Sequence, residues 1–359
     1  MQEKVDIFFE EIPGKDGNIG LITLNRPEVL NALNQAIFVA MNAKLQEWGS
    51  ADTIKAVVIR AAEGRAFCAG GDIRSAYERA KANDPTLVNF FAEEYSMNRT
   101  IYHFPKPYIA LMNGITMGGG VGISIHGSHR VATERYVFAM PETGIGFYPD
   151  VGATYFLSRL PHKIGFYLGL TGAKIDHHDA HALGLIDYVV EPDVFPDIVT
   201  KLAETSLQHN ADATVSEVLN SFMIPNGKSS LMDKQTAIEM CFSKDTVIGI
   251  LDALEHFPDA WSQQVAALMS TKSPTSLSVT LRQLTEGKKL KFDTCMDLEL
   301  RLTSRFLQGH DFFEGIRAAI IDKDHSPHWR PAKLEAIHST DIDHYFALLP
   351  AELSTRENL

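Results

Sequence analysis

A run of glycines and two acids carry the chemistry legible in this chain. The glycines lie in GITMGGGVGIS (114–124), and the acids, Glu142 and Asp150, follow in MPETGIGFYPDVG (140–152). Gly118, Gly119 and Gly120 clear the side chains from a corner between the apolar run KPYIALMN (106–113) and a stretch able to form a helix. A ligand oxygen can reach backbone N–H groups at such a corner, at the positive end of a helix. Backbone donors beside one or two carboxylates are the parts needed to polarise a carbonyl and move protons around it. The same glycines also read as a tight strand-to-helix turn with close packing. They do not make a dinucleotide fingerprint, because from Gly118 the third glycine of G-x-G-x-x-G falls on Ile123. No Gly-Lys-Ser/Thr ending follows, so a phosphate-binding P-loop is not indicated.

The acids have plainer readings too. Glu142, between Pro141 and Thr143, reads as a solvated loop acid or the partner of a helix start, and Asp150, after Pro149, has good N-cap chemistry. His126 and His129 follow the glycines, but no G-x-S-x-G nucleophile elbow accompanies them, and both read as structural. His177, His178 and His181 lack a convincing metal-ligand spacing, and Cys68 reads as buried packing.

The chain that must position these residues has 359 residues, 45% hydrophobic and 22% charged, enough for a large core. A net charge of -12 argues against non-specific nucleic-acid binding, which needs a basic surface. Three dispersed cysteines form no C-x-x-C pair, so neither a disulfide framework nor a zinc site is indicated and a reducing compartment fits. No apolar run approaches the roughly 18–20 residues needed to span a bilayer. The acidic N-terminus lacks the form of a signal or transit peptide, which makes the cytoplasm the expected location; a processed organellar-matrix chain would read the same.

Residues 5–10 and 19–24 read as strands joined by a turn, and Asn34–Trp48 as a helix with Ile37, Met41, Leu45 and Trp48 on one stripe. AVVIRA (56–61) reads as a strand buried on both faces, broken by the glycines of AFCAGGDI (66–73). A helix over about 86–102 precedes KPYIALMN, so strand, glycine loop and helix occur twice, the rhythm of an α/β fold. HRVATERYVFAMPE (129–142) reads as a strand pair, 152–172 and 176–183 as helical, and 185–192 as a strand. After about residue 205 helices dominate: 232–242, 246–255, 260–270, 275–286 and 295–320, with Ser273–Pro274 a helix start.

Five segments together resemble the crotonase (enoyl-CoA hydratase/isomerase) superfamily: LITLNRPEVLNALN (21–34), AFCAGGDI (66–73), KPYIALMNGITMGGGVGIS (106–124), MPETGIGFYPDVGATYFLSRL (140–160) and LTGAKIDHHDAHALGLIDYVV (170–190). They fall in the family's order with its spacing. The closer resemblance is to its 3-hydroxyisobutyryl-CoA hydrolase branch. That branch carries the GITMGGGVG and MPETxIGxxPDVG forms and a C-terminal stretch like DFFEGIRAAIIDKDHSPHW (311–329). The resemblance implies a crotonase-type ββα spiral core, taken as residues 1–205, followed by a helical C-terminal region, 206–359. It implies hydrolysis of an acyl-CoA thioester, with 3-hydroxyisobutyryl-CoA giving 3-hydroxyisobutyrate and CoA, a step of valine catabolism.

The family's oxyanion-hole amides fall on Gly71 and Gly119. Hydratases of the family use two glutamates; here the first position is Gly122 and the second is Glu142. The hydrolase branch has instead the Asp of PDVG, here Asp150, which implies Glu142 and Asp150 as the catalytic pair. Glu94, in AEEYSMN (92–98), matches a substrate-contacting glutamate, although a surface helix acid is its plain reading. Asp72 reads as ordering its loop, and Arg26 as either a contact to CoA phosphates or a structural ion pair. The implied partner is an acyl-CoA, with no metal, no cofactor beyond the CoA of the substrate, no nucleic acid and no membrane; homo-oligomers are common in the family. Two other readings stand beside this one: an enoyl-CoA hydratase or isomerase working with Glu142 alone, and a non-catalytic acyl-CoA-binding protein.

Overall fold

The apolar runs marked as strands assemble into two sheets. In the computed structural model, which describes residues 5–349, a six-stranded sheet has the order β1-β2-β3-β5-β7-β10. Its strands are β1 (Ile7–Ile12), β2 (Asn18–Leu24), β3 (Ile54–Ala61), β5 (Tyr108–Met112), β7 (His129–Ala132) and β10 (Tyr188–Val189). Only the β1–β2 hairpin is antiparallel; every other neighbour is parallel. Such strands are covered on both faces, which is why β5 is buried at every position and β3 buries Ala56 to Ile59 in succession. A second sheet, β4-β6-β8-β9, holds β4 (Ala66–Cys68), β6 (Ile115–Met117), β8 (Val137–Ala139) and β9 (Ile175–Asp176).

The chain forms two compact units, each discontinuous in sequence. Unit 1 takes the residues up to Asp72 with Glu93–Ala139 and Lys174–Asp233, and contains both sheets. Its helix Gln35–Ser50 starts at Asn34, whose side chain accepts from Ile37 N. Ile37, Met41, Leu45 and Trp48 are all buried, as their stripe predicts. Trp48 lies flat against β2 at Gly20, where a Cβ would fall 2.6 Å from its ring. On another face the helix Phe195–Glu204 buries Ile198, Val199 and Leu202 against Ile19, Leu21, Val58, Ile109 and Val131.

Several expectations change. The glycine run does not follow β5 directly, because β6 intervenes and the helix after it is the single turn Gly119–Gly122. Glycines disfavour a longer helix, and Ile115 and Thr116 favour a strand. β7 and β8, read as a pair, lie in different sheets: β7 pairs with β5 and β10, and β8 with β6 and β9. A turn closed by Tyr136 N to Thr133 O carries the chain from one to the other. The 295–320 run is broken at Leu307–His310 into Phe292–Phe306 and Asp311–Ile316, the second continuing as the π-helical turn Arg317–Ile321.

The boundary near 205 falls inside unit 1, so the expected division into 1–205 and 206–359 does not follow the compact units. Residues 206–233 belong to unit 1, while Ile73–Ala92 and Met140–Ala173 belong to unit 2. The packing of apolar faces, not chain order, groups the elements; the change of character at 205 marks where strands cease. The outermost residues of those ranges, 1–4 and 350–359, lie outside the described residues.

In unit 2 (Ile73–Ala92, Met140–Ala173 and 234 onward) every regular element among the described residues is helical. An aromatic cluster lies within it: Phe147 meets Phe91, Phe306 and Phe312 at centroid distances of 5.5, 5.4 and 4.8 Å. The helix Pro274–Gly287 starts at Ser273, as expected, whose hydroxyl accepts from Ser276 N and donates to the buried Asp311 carboxylate at 2.6 Å. Ser273→Ala removes both bonds and should destabilise the protein by about 1–3 kcal/mol. Urea unfolding measures this, and an unchanged midpoint would show that the cap contributes nothing.

Candidate active site

Unit 1 carries three of the residues singled out by sequence, Gly71, Gly119 and Glu94, and the structure brings them together. The segment Arg26–Leu33 is a template for the first glycine loop. Asn31, fully buried, accepts from Arg26 N and donates to Ala66 O at 3.0 Å. Ala69 N donates to Leu30 O, Leu33 N to Gly70 O and Asp72 N to Leu33 O, all within 3.0 Å. Gly70 N donates to Cys68 Sγ at 3.5 Å. The amide between them, Gly71 N–H, has no acceptor among the described residues.

The second glycine loop lies against the first. A Cβ on Gly70 would fall 3.6 Å from Gly119 N, and a Cβ on Gly119 3.2 Å from Gly71 N. Glycine is required here by close approach: a Cβ on Gly119 would stand 2.4 Å from Glu94 Oε1, and one on Gly120 2.1 Å from Cys68 O. Glu94, on the helix Leu87–Tyr102, is 3% exposed, which replaces the surface-acid reading with a buried carboxylate beside both glycines.

Other residues of this unit resolve as structural. Arg26 donates to Ala32 O at 2.6 Å and pairs with Asp72 at 3.1 Å, so Asp72 does order its loop. Burial pushes the Cys68 thiol up to about 12, leaving it protonated and inert. His129 is buried against Asp212 O and Ser216 Oγ, and burial lowers its proton affinity. Among the described residues no cluster of three or more His, Cys, Asp or Glu is arranged to hold a metal ion.

Unit 2 carries Glu142 and Asp150, also together. Glu142 opens a 3-10 turn, Glu142–Ile145, held by Thr143, whose hydroxyl donates to Leu170 O and whose carbonyl accepts from Ser273 N. Its side chain is buried, and Oε2 has no partner among the described residues. Burial raises its proton affinity well above the ordinary carboxylate range, and the charges of Asp150 and Glu299 add to the rise.

Asp150 is 5% exposed and enters a strained turn, in which Val151 takes φ 51° and Gly152 φ 89°. A β-branched residue at positive φ is unfavourable, by roughly 1–3 kcal/mol, and persists only where its surroundings over-determine it. Here they do. Gln283 Nε2 donates to Pro149 O and Thr154 Oγ1, both at 2.7 Å. Glu299 accepts from Gly152 N at 2.7 Å and Thr154 N at 2.9 Å. The cap residue of the following helix is Gly152, and the Glu299 carboxylate serves the amides at its start.

Sequence reasoning missed Glu299, which sits among charges in CMDLELRLTSRF. The available signal was its place on the apolar stripe Phe292, Cys295, Met296, Leu302, Phe306, where it is wholly buried. Burial raises Glu299 to about 8, against the bonds from Gly152 and Thr154 that favour the charged form. A carboxyl raised on folding contributes stability below its unfolded pKa and loses that contribution as pH rises towards its folded value. Stability should therefore fall from the ordinary carboxylate range up to about pH 8. Glu299→Gln should be less stable than the parent in acid, having one acceptor fewer, yet lose less Tm between about pH 6 and 9. Parallel Tm curves for the two proteins would contradict the assignment.

A family model described as enoyl-CoA hydratase/isomerase matches residues 19–346. The chain is 41% identical over 338 residues to the mitochondrial 3-hydroxyisobutyryl-CoA hydrolase of Rattus norvegicus, covering 93% of this chain and 87% of the relative. To the Homo sapiens protein of the same name it is 39% identical over 354 residues, 97% and 91%. Among solved structures, a carnitinyl-CoA dehydratase from Mycobacterium thermoresistibile superposes with TM-score 0.89 at 36% identity, covering 98% of each chain. An enoyl-CoA hydratase from Rhodobacter sphaeroides 2.4.1 does so with TM-score 0.86 at 36% identity, covering 97% and 99%. With this coverage and the paired glycine loops and acids described above, the chain belongs to the enoyl-CoA hydratase/isomerase family and has its crotonase-type α/β fold.

Proposed function

We propose that this protein hydrolyses acyl-CoA thioesters, with 3-hydroxyisobutyryl-CoA as its substrate, the reaction by which its mammalian relatives are named. The observation that carries the reading is the buried acid pair of unit 2, Glu142 with Asp150, in a chain that has Gly122 where the family's hydratases have their first glutamate. Hydration needs two acid/base groups placed around a double bond; hydrolysis needs one group to attack or activate water and another to manage a proton.

In this reading Gly71 and Gly119 N–H donate to the thioester oxygen as charge moves onto it, an interaction whose loss typically raises the barrier by about 2.7–4 kcal/mol. A thioester carbonyl is weakly resonance-stabilised and gains much from such donors. Glu142 attacks the carbonyl carbon or takes a proton from attacking water. Where water attacks, the C–S bond breaks, the CoA thiolate takes up the proton that Glu142 removed from the water, and the acid leaves. Where Glu142 attacks, CoA departs first and water then cleaves the acyl-glutamyl anhydride, releasing the acid and restoring the Glu142 carboxylate. Asp150 orients water or transfers the proton. Glu142 acts in its ionised form, and its raised proton affinity makes it a stronger base near neutral pH than an exposed carboxylate. CoA enters as part of the substrate, and the reaction calls for no further cofactor. The relatives' names place them in mitochondria, which favours the organellar-matrix alternative over the cytoplasm. No described helix is long and apolar enough to cross a membrane.

The second reading, hydration or dehydration of an enoyl-CoA, is favoured by the names of the two solved structures. Free thiol release separates the two. Thiol should be released rapidly from 3-hydroxyisobutyryl-CoA and 3-hydroxypropionyl-CoA and slowly from crotonyl-CoA. Glu142→Gln and Asp150→Asn should each lower kcat by about 10²–10⁴-fold in folded protein. Loss of crotonyl-CoA enoyl absorbance without thiol release would overturn the hydrolase reading. kcat/KM should rise with pH, with its midpoint above the ordinary glutamate value of about 4.3; a midpoint at or below that value would remove Glu142 as the ionising group.

A further inference from the structure

The helix Leu87–Tyr102 carries a buried amide for which the proposed chemistry has no use. Asn98 is 0% exposed, and neither its Oδ1 nor its Nδ2 has a hydrogen-bond partner among the described residues. An unsatisfied buried amide costs about 1–3 kcal/mol, so such groups are uncommon in native proteins and point to a partner from outside the chain.

Its position says what kind of partner. Asn98 follows Glu94 by four residues, so the two share one face of the helix with Cβ atoms about 5–6 Å apart. Side chains on a helix lean towards its N-terminus, which tilts the Asn98 amide back towards the Glu94 turn. Glu94 is buried, and its Oε1 lies against Gly119, whose Cβ position is 3.2 Å from Gly71 N. The Glu94 carboxylate thus lies beside the two glycine N–H groups, with Asn98 one helical turn further along the same face.

A hydroxyl suits the amide and the carboxylate together, because it donates to a carboxylate and accepts from an amide N–H at the same time. A ketone can only accept, an anion would be repelled by Glu94 if ionised, and a plain alkyl chain would leave the Asn98 amide without a partner. We propose that Asn98 and Glu94 together form the subsite for the hydroxyl of a hydroxyacyl thioester, and that Asn98 is a specificity-determining residue. The proposal rests on the thioester-hydrolase reading.

The test compares thiol release from 3-hydroxyisobutyryl-CoA and isobutyryl-CoA, which differ only in the hydroxyl, in the parent and in Asn98→Leu. The ratio of the two kcat/KM values should favour the hydroxyacyl thioester in the parent and fall at least about tenfold in the variant, since an apolar wall no longer rewards a hydroxyl. Asn98→Ala, which only removes atoms, carries the same comparison should the leucine variant fail to fold. An unchanged ratio, including one in which both rates fall by a common factor, would make Asn98 a purely structural residue and overturn the proposal. If the parent releases thiol from neither thioester, the hydrolase reading falls and this inference falls with it. A parent that hydrolyses both with no preference defeats the subsite alone.

Discussion

Burial of carboxyl groups is the constraint on which the rest of this structure depends. Glu142, Asp150 and Glu299 are all buried in unit 2, and each negative charge raises the cost of the next. The unit meets that cost in two ways. Glu299 is raised to about 8 by burial, and two backbone amides bind its oxygens. Glu142 is left with one oxygen that nothing among the described residues satisfies. Stability is lost there in exchange for a carboxylate with heightened proton affinity, the property an acid/base or nucleophilic group needs. The strained Val151 turn belongs to the same arrangement, since Gln283 and Glu299, from two long helices, hold it.

Unit 1 solves a different problem, that of bringing main chain close to main chain. Glu94 Oε1 and Cys68 O stand where Cβ atoms on Gly119 and Gly120 would be, so side chains are excluded from the corner. Asn31 holds Ala66 O, the carbonyls of Leu30 and Leu33 take up the amides of Ala69 and Asp72, and Gly71 N–H is left over among the described residues. Rigidity in these loops comes from that stitching and from the Arg26–Asp72 pair.

How much of this could be read from the residues varied with the range of the interaction. The Gln35–Ser50 stripe, the buried β3 and β5 and the Ser273 cap were legible because they depend on periodicity or on near neighbours in the chain. The grouping of elements was not. β7 and β8 are four residues apart yet lie in different sheets, and residues 140–173 join helices beyond 234, because long-range packing decides both. Glu142, Asp150 and the glycines could be singled out by type and spacing, but not their burial. Glu94 was singled out by the family resemblance alone, since by itself it reads equally as a surface helix acid, and Glu299 gave no signal except a charge on an apolar stripe. Asn98 gave none, since an asparagine on a helix says nothing of its surroundings until the fold encloses it.

The claim that burial raises the proton affinity of Glu142 can be tested directly by pH-dependent infrared difference spectroscopy, comparing the parent with Glu142→Gln so that the signal missing from the variant belongs to this side chain. A protonated carboxyl absorbance persisting well above about pH 5, and absent from the variant at every pH, is the predicted result. A Glu142 carboxyl already fully ionised at pH 5 would contradict the account, because burial beside Asp150 and Glu299 would then have failed to shift the group on which the proposed reaction turns.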